Sequence, residues 1–176
     1  MRYLFSFFTF LLPLLVSTSS FMSAPKEEVN WLTMEELQVQ YAKEPRPIII
    51  DLYTDWCGWC KVMDSKTYTN PKLAAYINEH YYAVKYNAES QKDISFNNIA
   101  YKYNTHYRTN DLAMYLTFGR LEFPTTIFLS SLDARPAPLS GYMKPAQMEA
   151  PLKYFAERKD VTQSFVDFNK KMKKEW

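Results

Sequence analysis

At 176 residues the chain is one domain of ordinary size, with room for a real hydrophobic core. Its 47% hydrophobic and 17% aromatic content excludes intrinsic disorder, and a formal net charge of +2 supplies no global field for nucleic acid or an anionic membrane. The three glycines, Gly58, Gly119 and Gly141, lie too far apart to build a phosphate-cradling loop, which argues against a nucleotide cofactor.

The N-terminal segment has Arg2 at its start, an apolar run from Leu4 to Val16, and then small polar residues. That layout predicts a secretory signal peptide over residues 1–24, cleaved after Ser20 or Ala24. The run is shorter than the roughly 20 residues of a membrane span, and Pro13 interrupts it; an uncleaved anchor is the alternative. The mature chain, residues 25–176, is therefore expected outside the cytoplasm, in the periplasm or secreted, where disulfides persist.

Thr33 and Glu36 form a capping box that opens a helix carrying Leu37 and Tyr41, and Pro45 and Pro47 stop it. The run from Ile48 to Tyr53 reads as a buried strand, interrupted by one acid, Asp51. Both cysteines follow directly in DWCGWCK, and the chain stays helix-compatible up to Thr69. Asn70-Pro71 starts a further helix with Leu73, Tyr76, Ile77 and His80 on its inner face. YYAVKYNAE alternates as a second strand. Ile94 and Phe96, then Ile99, Tyr101 and Tyr103, alternate about Asn97-Asn98 and predict a small hairpin; a helix over residues 98–104 competes.

Leu112, Tyr115 and Leu116 mark a helix that Gly119 ends. FPTTIFLSS is another strand, APLSGYM a short one, and KPAQMEAPLKYFAERK a helix that Pro151 should kink or start late. In the last segment, Asp160 and Gln163 suggest a capping box. Val161, Phe165, Phe168, Met172 and Trp176 then form one stripe of a basic amphipathic helix, more in keeping with packing on its own domain than on a membrane. The Tyr-rich YKYNTHYR reads as hairpin rather than as a base-stacking surface, given the small net charge.

Two cysteines two residues apart have three common uses. Zinc needs about four ligands, and only His80 and His106 remain, in separate segments. Haem attachment needs a histidine after the second cysteine, where Lys61 stands. As a staple, a Cys57–Cys60 bridge closes almost no loop. Dithiol–disulfide exchange needs only the pair, and a helix N-terminus favours a thiolate at the first cysteine.

IIDLYTDWCGWCK resembles the active-site region of thioredoxins, in the extracytoplasmic branch with a W-C-x-W-C-K motif. The resemblance spans about residues 30–158 and implies a thioredoxin fold of α/β class, with a mixed central sheet flanked by helices. To this are added an inserted hairpin and helix segment, between roughly Asp93 and Leu121, and a C-terminal helical extension over 160–176. It aligns Asp51 with the family's buried aspartate, Lys85 with a lysine near that aspartate, Phe123-Pro124 with the cis-proline loop, and Gly141 with the glycine before the last helix. Gly58-Trp59 replaces the usual Gly-Pro dipeptide and leaves the redox potential open.

Cys57 is then expected to be the nucleophile, Cys60 the resolving thiol, and Asp51 the acceptor of the Cys60 proton. Trp56, Gly58, Trp59, Phe123 and Pro124 would contact substrate. Trp56 is expected to pack over the disulfide, and Trp59 to offer the apolar contact. Lys85 would support Asp51. The implied function is exchange of protein disulfides, fed by a membrane-embedded electron donor, with no metal, nucleotide or nucleic acid. A thioredoxin-fold binding module with an incidental redox couple is the alternative, and low-affinity metal handling by the two thiolates a remote third.

Overall fold

The computed structural model describes residues 28–176; the expected signal peptide lies outside the described residues. Five strands make the central sheet: β1 (Trp31–Leu32), β2 (Ile48–Tyr53), β3 (Tyr82–Asn87), β8 (Thr125–Leu129) and β9 (Ala137–Ser140), in the spatial order β1-β3-β2-β8-β9. The β1, β3 and β2 strands run parallel, whereas β8 and β9 are antiparallel to their neighbours. This is the mixed sheet of a thioredoxin-like fold. β1 was not legible in the sequence because two residues carry no periodicity.

Strand side chains alternate between faces, and that alternation sorts the core into two halves. Ile48, Ile50 and Leu52 of β2 pack on one side with α1 (Met34–Lys43) and α4 (Asp111–Thr117). Ile49 packs on the other side with α2 (Gly58–Lys66), α3 (Pro71–His80) and α5 (Pro145–Ala156). Asp51, two residues after Ile49, therefore faces the same side as α2.

Local signals hold where side chain and backbone close a cycle. The Glu36 N–H donates to Thr33 Oγ1 at 3.1 Å, and the Thr33 N–H donates to Glu36 Oε2 at 2.8 Å, forming the capping box of α1. Asn70 caps α3 by accepting from the Leu73 N–H at 3.1 Å. The inner face of α3 is Leu73, Ala74 and Ile77, while Tyr76 and His80 are half-buried and stack on each other.

The insertion forms two small ladders. β4 (Ile94–Phe96) pairs with β5 (Ile99–Tyr101) across Asn97 and Asn98, whose φ angles of 49° and 62° are the left-handed values asparagine tolerates. The competing helix is absent there. Tyr103 belongs instead to a second ladder, β6 (Tyr103–Asn104) with β7 (Thr109–Asn110). In α4 the buried residues are Leu112, Ala113, Leu116 and Thr117; Tyr115 is exposed and packs on Tyr101.

The C-terminal region departs from the expected single stripe. α5 runs from Pro145 through Pro151 to Ala156, so its start is not delayed. The cap of α6 (Phe165–Lys171) is Ser164 with Asp167, not Asp160 with Gln163. Of the stripe, Phe168 is buried, whereas Val161 and Phe165 are exposed. Trp176 lies beyond the helix and packs on Tyr76.

A buried carboxylate holds this tail. Glu149, 0% exposed, accepts from Lys153 Nζ at 3.0 Å and from the main-chain N–H groups of Glu175 at 2.7 Å and Trp176 at 3.3 Å. Burial pushes the Glu149 carboxyl up, but these donors outweigh it and hold it below the usual carboxylate range. Glu149→Ala should lower the stability of the whole chain by about 1–3 kcal/mol, the usual loss when buried donors lose their acceptor, because Lys153 keeps Glu175 Oε2 at 2.7 Å. A urea titration would read it; an unchanged midpoint would show the tail to be ornamental.

Candidate active site

Cys57 is the N-cap of α2, reached from the end of β2 by a tight turn in which the Cys57 N–H donates to the Thr54 carbonyl at 3.1 Å. Cys57 and Cys60 form a disulfide, and both are buried. The Cys60 N–H donates to Cys57 Sγ at 3.1 Å, which is where a helix N-terminus offers its unpaired donors to a sulfur anion. Gly58 is exposed, with open space where a side chain would begin.

Asp51 is 1% exposed, and its register partners are Lys85 on β3 and Thr126 on β8. Its Oδ1 has no hydrogen-bond partner among the described residues, and its Oδ2 lies 3.8 Å from Lys85 Nζ. Burial pushes the Asp51 carboxyl up to about 7; the Lys85 ammonium opposes the rise and the Asp64 carboxylate adds to it. The buried Tyr68 hydroxyl shares a hydrogen bond with Thr126 Oγ1 at 3.3 Å.

Asp64 is the residue that sequence reasoning missed. It stands four residues after Cys60 on α2, so the two share one helix face. Lys85 Nζ donates to Asp64 Oδ1 and remains within ion-pair distance of Asp51. Cys60, Asp64, Lys85 and Asp51 thus share the α2 side of the sheet. The i, i+4 spacing from Cys60 was the available signal, and it means little without knowing that Lys85 lies opposite.

Around the disulfide the two tryptophans diverge. Trp56 is 67% exposed; its ring meets Phe123 edge-on at 5.7 Å, and its Nε1–H donates to Glu89 at 2.9 Å. Trp59 is 62% exposed and leans on Tyr142, with ring centroids 5.6 Å apart. Phe123-Pro124 is cis, and the Pro124 carbonyl accepts from the Gly141 N–H at 2.7 Å, joining this loop to the end of β9. Among the described residues the Phe123 main chain makes no hydrogen bond. A cavity of about 420 Å³ opens beside Trp56, lined by Glu89, Tyr107, Arg108, Leu121 and Phe123 as well. Four of its lining residues, Tyr107, Arg108, Thr109 and Leu121, come from the insertion.

Among the described residues no group of three or more His, Cys, Asp or Glu is placed to hold a metal ion. The chemically distinctive feature is the Cys57–Cys60 disulfide in a thioredoxin fold, an arrangement consistent with redox enzyme activity.

Comparison with known proteins agrees with this geometry. The chain is 25% identical over 124 residues to "Thiol:disulfide interchange protein DsbD" of Pectobacterium atrosepticum, covering 69% of this chain and 18% of that protein. It is 32% identical over 68 residues to the protein of the same name from Vibrio vulnificus, covering 35% of this chain and 12% of that one. The chain therefore spans less than a fifth of the length of these relatives. Among solved structures, a thioredoxin-fold protein from Helicobacter pylori superimposes with a TM-score of 0.55 at 20% identity, over 72% of this chain and 79% of that one. A "DsbH Oxidoreductase" does so with a TM-score of 0.52 at 15% identity, over 77% and 90%. These two likenesses establish the fold. A family model matches residues 13–176, nearly the whole chain, and on that match the protein belongs to the Thioredox_DsbH family, described as "Protein of unknown function, DUF255".

Proposed function

We propose that this protein is an extracytoplasmic thiol–disulfide oxidoreductase that acts on protein disulfides through Cys57 and Cys60, as a reductase or isomerase rather than an oxidase. The observation that carries the reading is the placement of Cys57 as N-cap of α2, with the Cys60 N–H on its sulfur and the partly unpartnered Asp51 carboxyl on the same side of the sheet.

In the reduced protein, the Cys57 thiolate attacks one sulfur of a client disulfide. A Cys57–client mixed disulfide forms, and the other client sulfur leaves as a thiolate. Asp51 then takes the proton of the Cys60 thiol; Cys60 attacks Cys57 Sγ and expels the second client thiolate. Two electrons have passed to the client, and the protein ends in the disulfide form seen here. Lys85 keeps its ammonium between Asp51 and Asp64 and tunes the affinity of Asp51 for that proton. The free main chain of Phe123 suits an extended client segment in the manner of strand addition.

Returning the couple to the dithiol needs an external two-electron donor, which we assign to a dithiol protein embedded in the membrane. Among the described residues no helix is long and apolar enough to cross a membrane itself. The apolar run and small-residue stretch of residues 1–24 support export.

Cys60→Ala tests the reading directly. The variant is expected to accumulate client proteins as mixed disulfides on Cys57 in the native compartment, released by dithiothreitol. Capture of no protein there would favour the binding-module alternative. A reduction potential more negative than about −200 mV would support the reductive direction.

A further inference from the structure

Resting on that reading, we infer that the insertion selects clients. The cavity beside Trp56 receives an extended segment of a disulfide-bonded protein that carries an Asp or Glu side chain close in sequence to the attacked cysteine, and Arg108 pairs with it.

Three independent observations carry this. The cavity borders the redox site, because among its walls Trp56 precedes Cys57 in the chain and Phe123 belongs to the cis-proline loop. Its two charged walls are unequal. Glu89 already accepts the Trp56 Nε1–H at 2.9 Å, whereas the Arg108 guanidinium makes no hydrogen bond or ion pair among the described residues. Glu89 keeps its negative charge while accepting that bond, so the cavity holds one charge of each sign; of the two, the Arg108 guanidinium is the one with its donors free, and a planar guanidinium suits a carboxylate.

The third observation is conformational. Residues 105–108 form the four-residue connection between β6 and β7, and Arg108, its last residue, has φ 54°. Glycine or asparagine takes that left-handed conformation at least cost, and the neighbouring turn uses Asn97 and Asn98 for it. Arg108 adopts it all the same, and this backbone places the residue at the cavity rim beside the exposed Tyr107. Trp56, Leu121 and Phe123 supply the apolar surface on which the aliphatic part of a client acid would lie.

The test uses the full mature protein, pre-reduced with dithiothreitol and freed of it. Its oxidation is followed by tryptophan fluorescence against peptides whose single cysteine is disulfide-bonded to 2-mercaptoethanol. The peptides carry Glu, Gln or Lys at one position, scanned over three residues on either side of the cysteine. At one or more positions the Glu peptide is expected to react roughly fivefold faster than the Lys peptide, the scale of one partly exposed ion pair. Arg108→Gln should bring that ratio to about one, Arg108→Glu should invert it, and high salt should collapse it. Equal Glu and Lys rates in the unmodified protein would overturn the inference, as would a preference that survives both substitutions. Neutral 2-hydroxyethyl disulfide separates the two levels of argument. Oxidation by it without charge preference among the peptides overturns client selection alone; no oxidation by it overturns the redox reading too.

Discussion

Cys57→Ser is expected to reduce insulin reduction to the rate of dithiothreitol alone. A serine oxygen at the N-cap of α2 meets the same Cys60 N–H as the sulfur does, but it cannot form a mixed disulfide, so no partial chemistry survives. The fold should survive. The Cys57–Cys60 bridge closes a loop of only four residues, for which the chain-entropy estimate is about 2 kcal/mol. The two hydrophobic layers about the sheet do not depend on that bridge. Circular dichroism of the variant should therefore match that of the unmodified protein while activity vanishes. Equal insulin reduction in the two proteins would defeat the catalytic assignment of Cys57.

Asp51→Asn should separate catalysis from stability, moving them in opposite directions. If Asp51 accepts the Cys60 proton as proposed, its loss should slow release of the mixed disulfide at pH 7 by roughly 10²–10⁴-fold, the usual contribution of a positioned base. The deficit should shrink as the pH approaches about 8.5, where an ordinary cysteine thiol ionises unaided. Stability should rise. The carboxyl has its pKa raised from 3.8 to about 7 by burial, so the folded state holds its proton more tightly than the unfolded chain does. Asp51 therefore costs nothing below about pH 4. It costs progressively more between pH 4 and 7, and above that range on the order of 4 kcal/mol relative to a neutral side chain. The asparagine variant should outlast the unmodified protein in urea at pH 8 and match it at pH 3.5. Identical urea midpoints at pH 8 would show that Asp51 is not the strained carboxylate described here.

Much of the site was legible before any coordinate. The missing zinc ligands, Lys61 in place of a haem histidine and the short Cys57–Cys60 loop left disulfide exchange as the use of the pair. The acid inside an apolar strand singled out Asp51. The Cys57–Cys60 bridge and the burial of Asp51 are both present in the fold, because these readings rest on chemistry that acts within a few residues. Capping boxes behave the same way: Thr33 with Glu36 closes a cycle inside one turn. Asp160 with Gln163 has the same spacing and fails, because Ser164 caps α6 instead and the chain before it folds as a 3-10 turn over Lys159–Val161.

By itself, then, the sequence determined the redox couple, the order of the main strands and helices, and the buried acid, since each depends on local spacing or side-chain polarity. Tertiary structure alone decided that Asp64 shares Lys85 with Asp51, that Trp56 meets Glu89 and Phe123, and that Arg108 borders the same cavity as Trp56. It also decided that Trp176 returns to Tyr76 under the hold of Glu149. Each of these contacts joins segments more than ten residues apart. Hydrophobic alternation says which face of a strand is buried but not which distant charge or ring will lie against it, and that pairing exists only once the sheet has brought β2, β3 and β8 together.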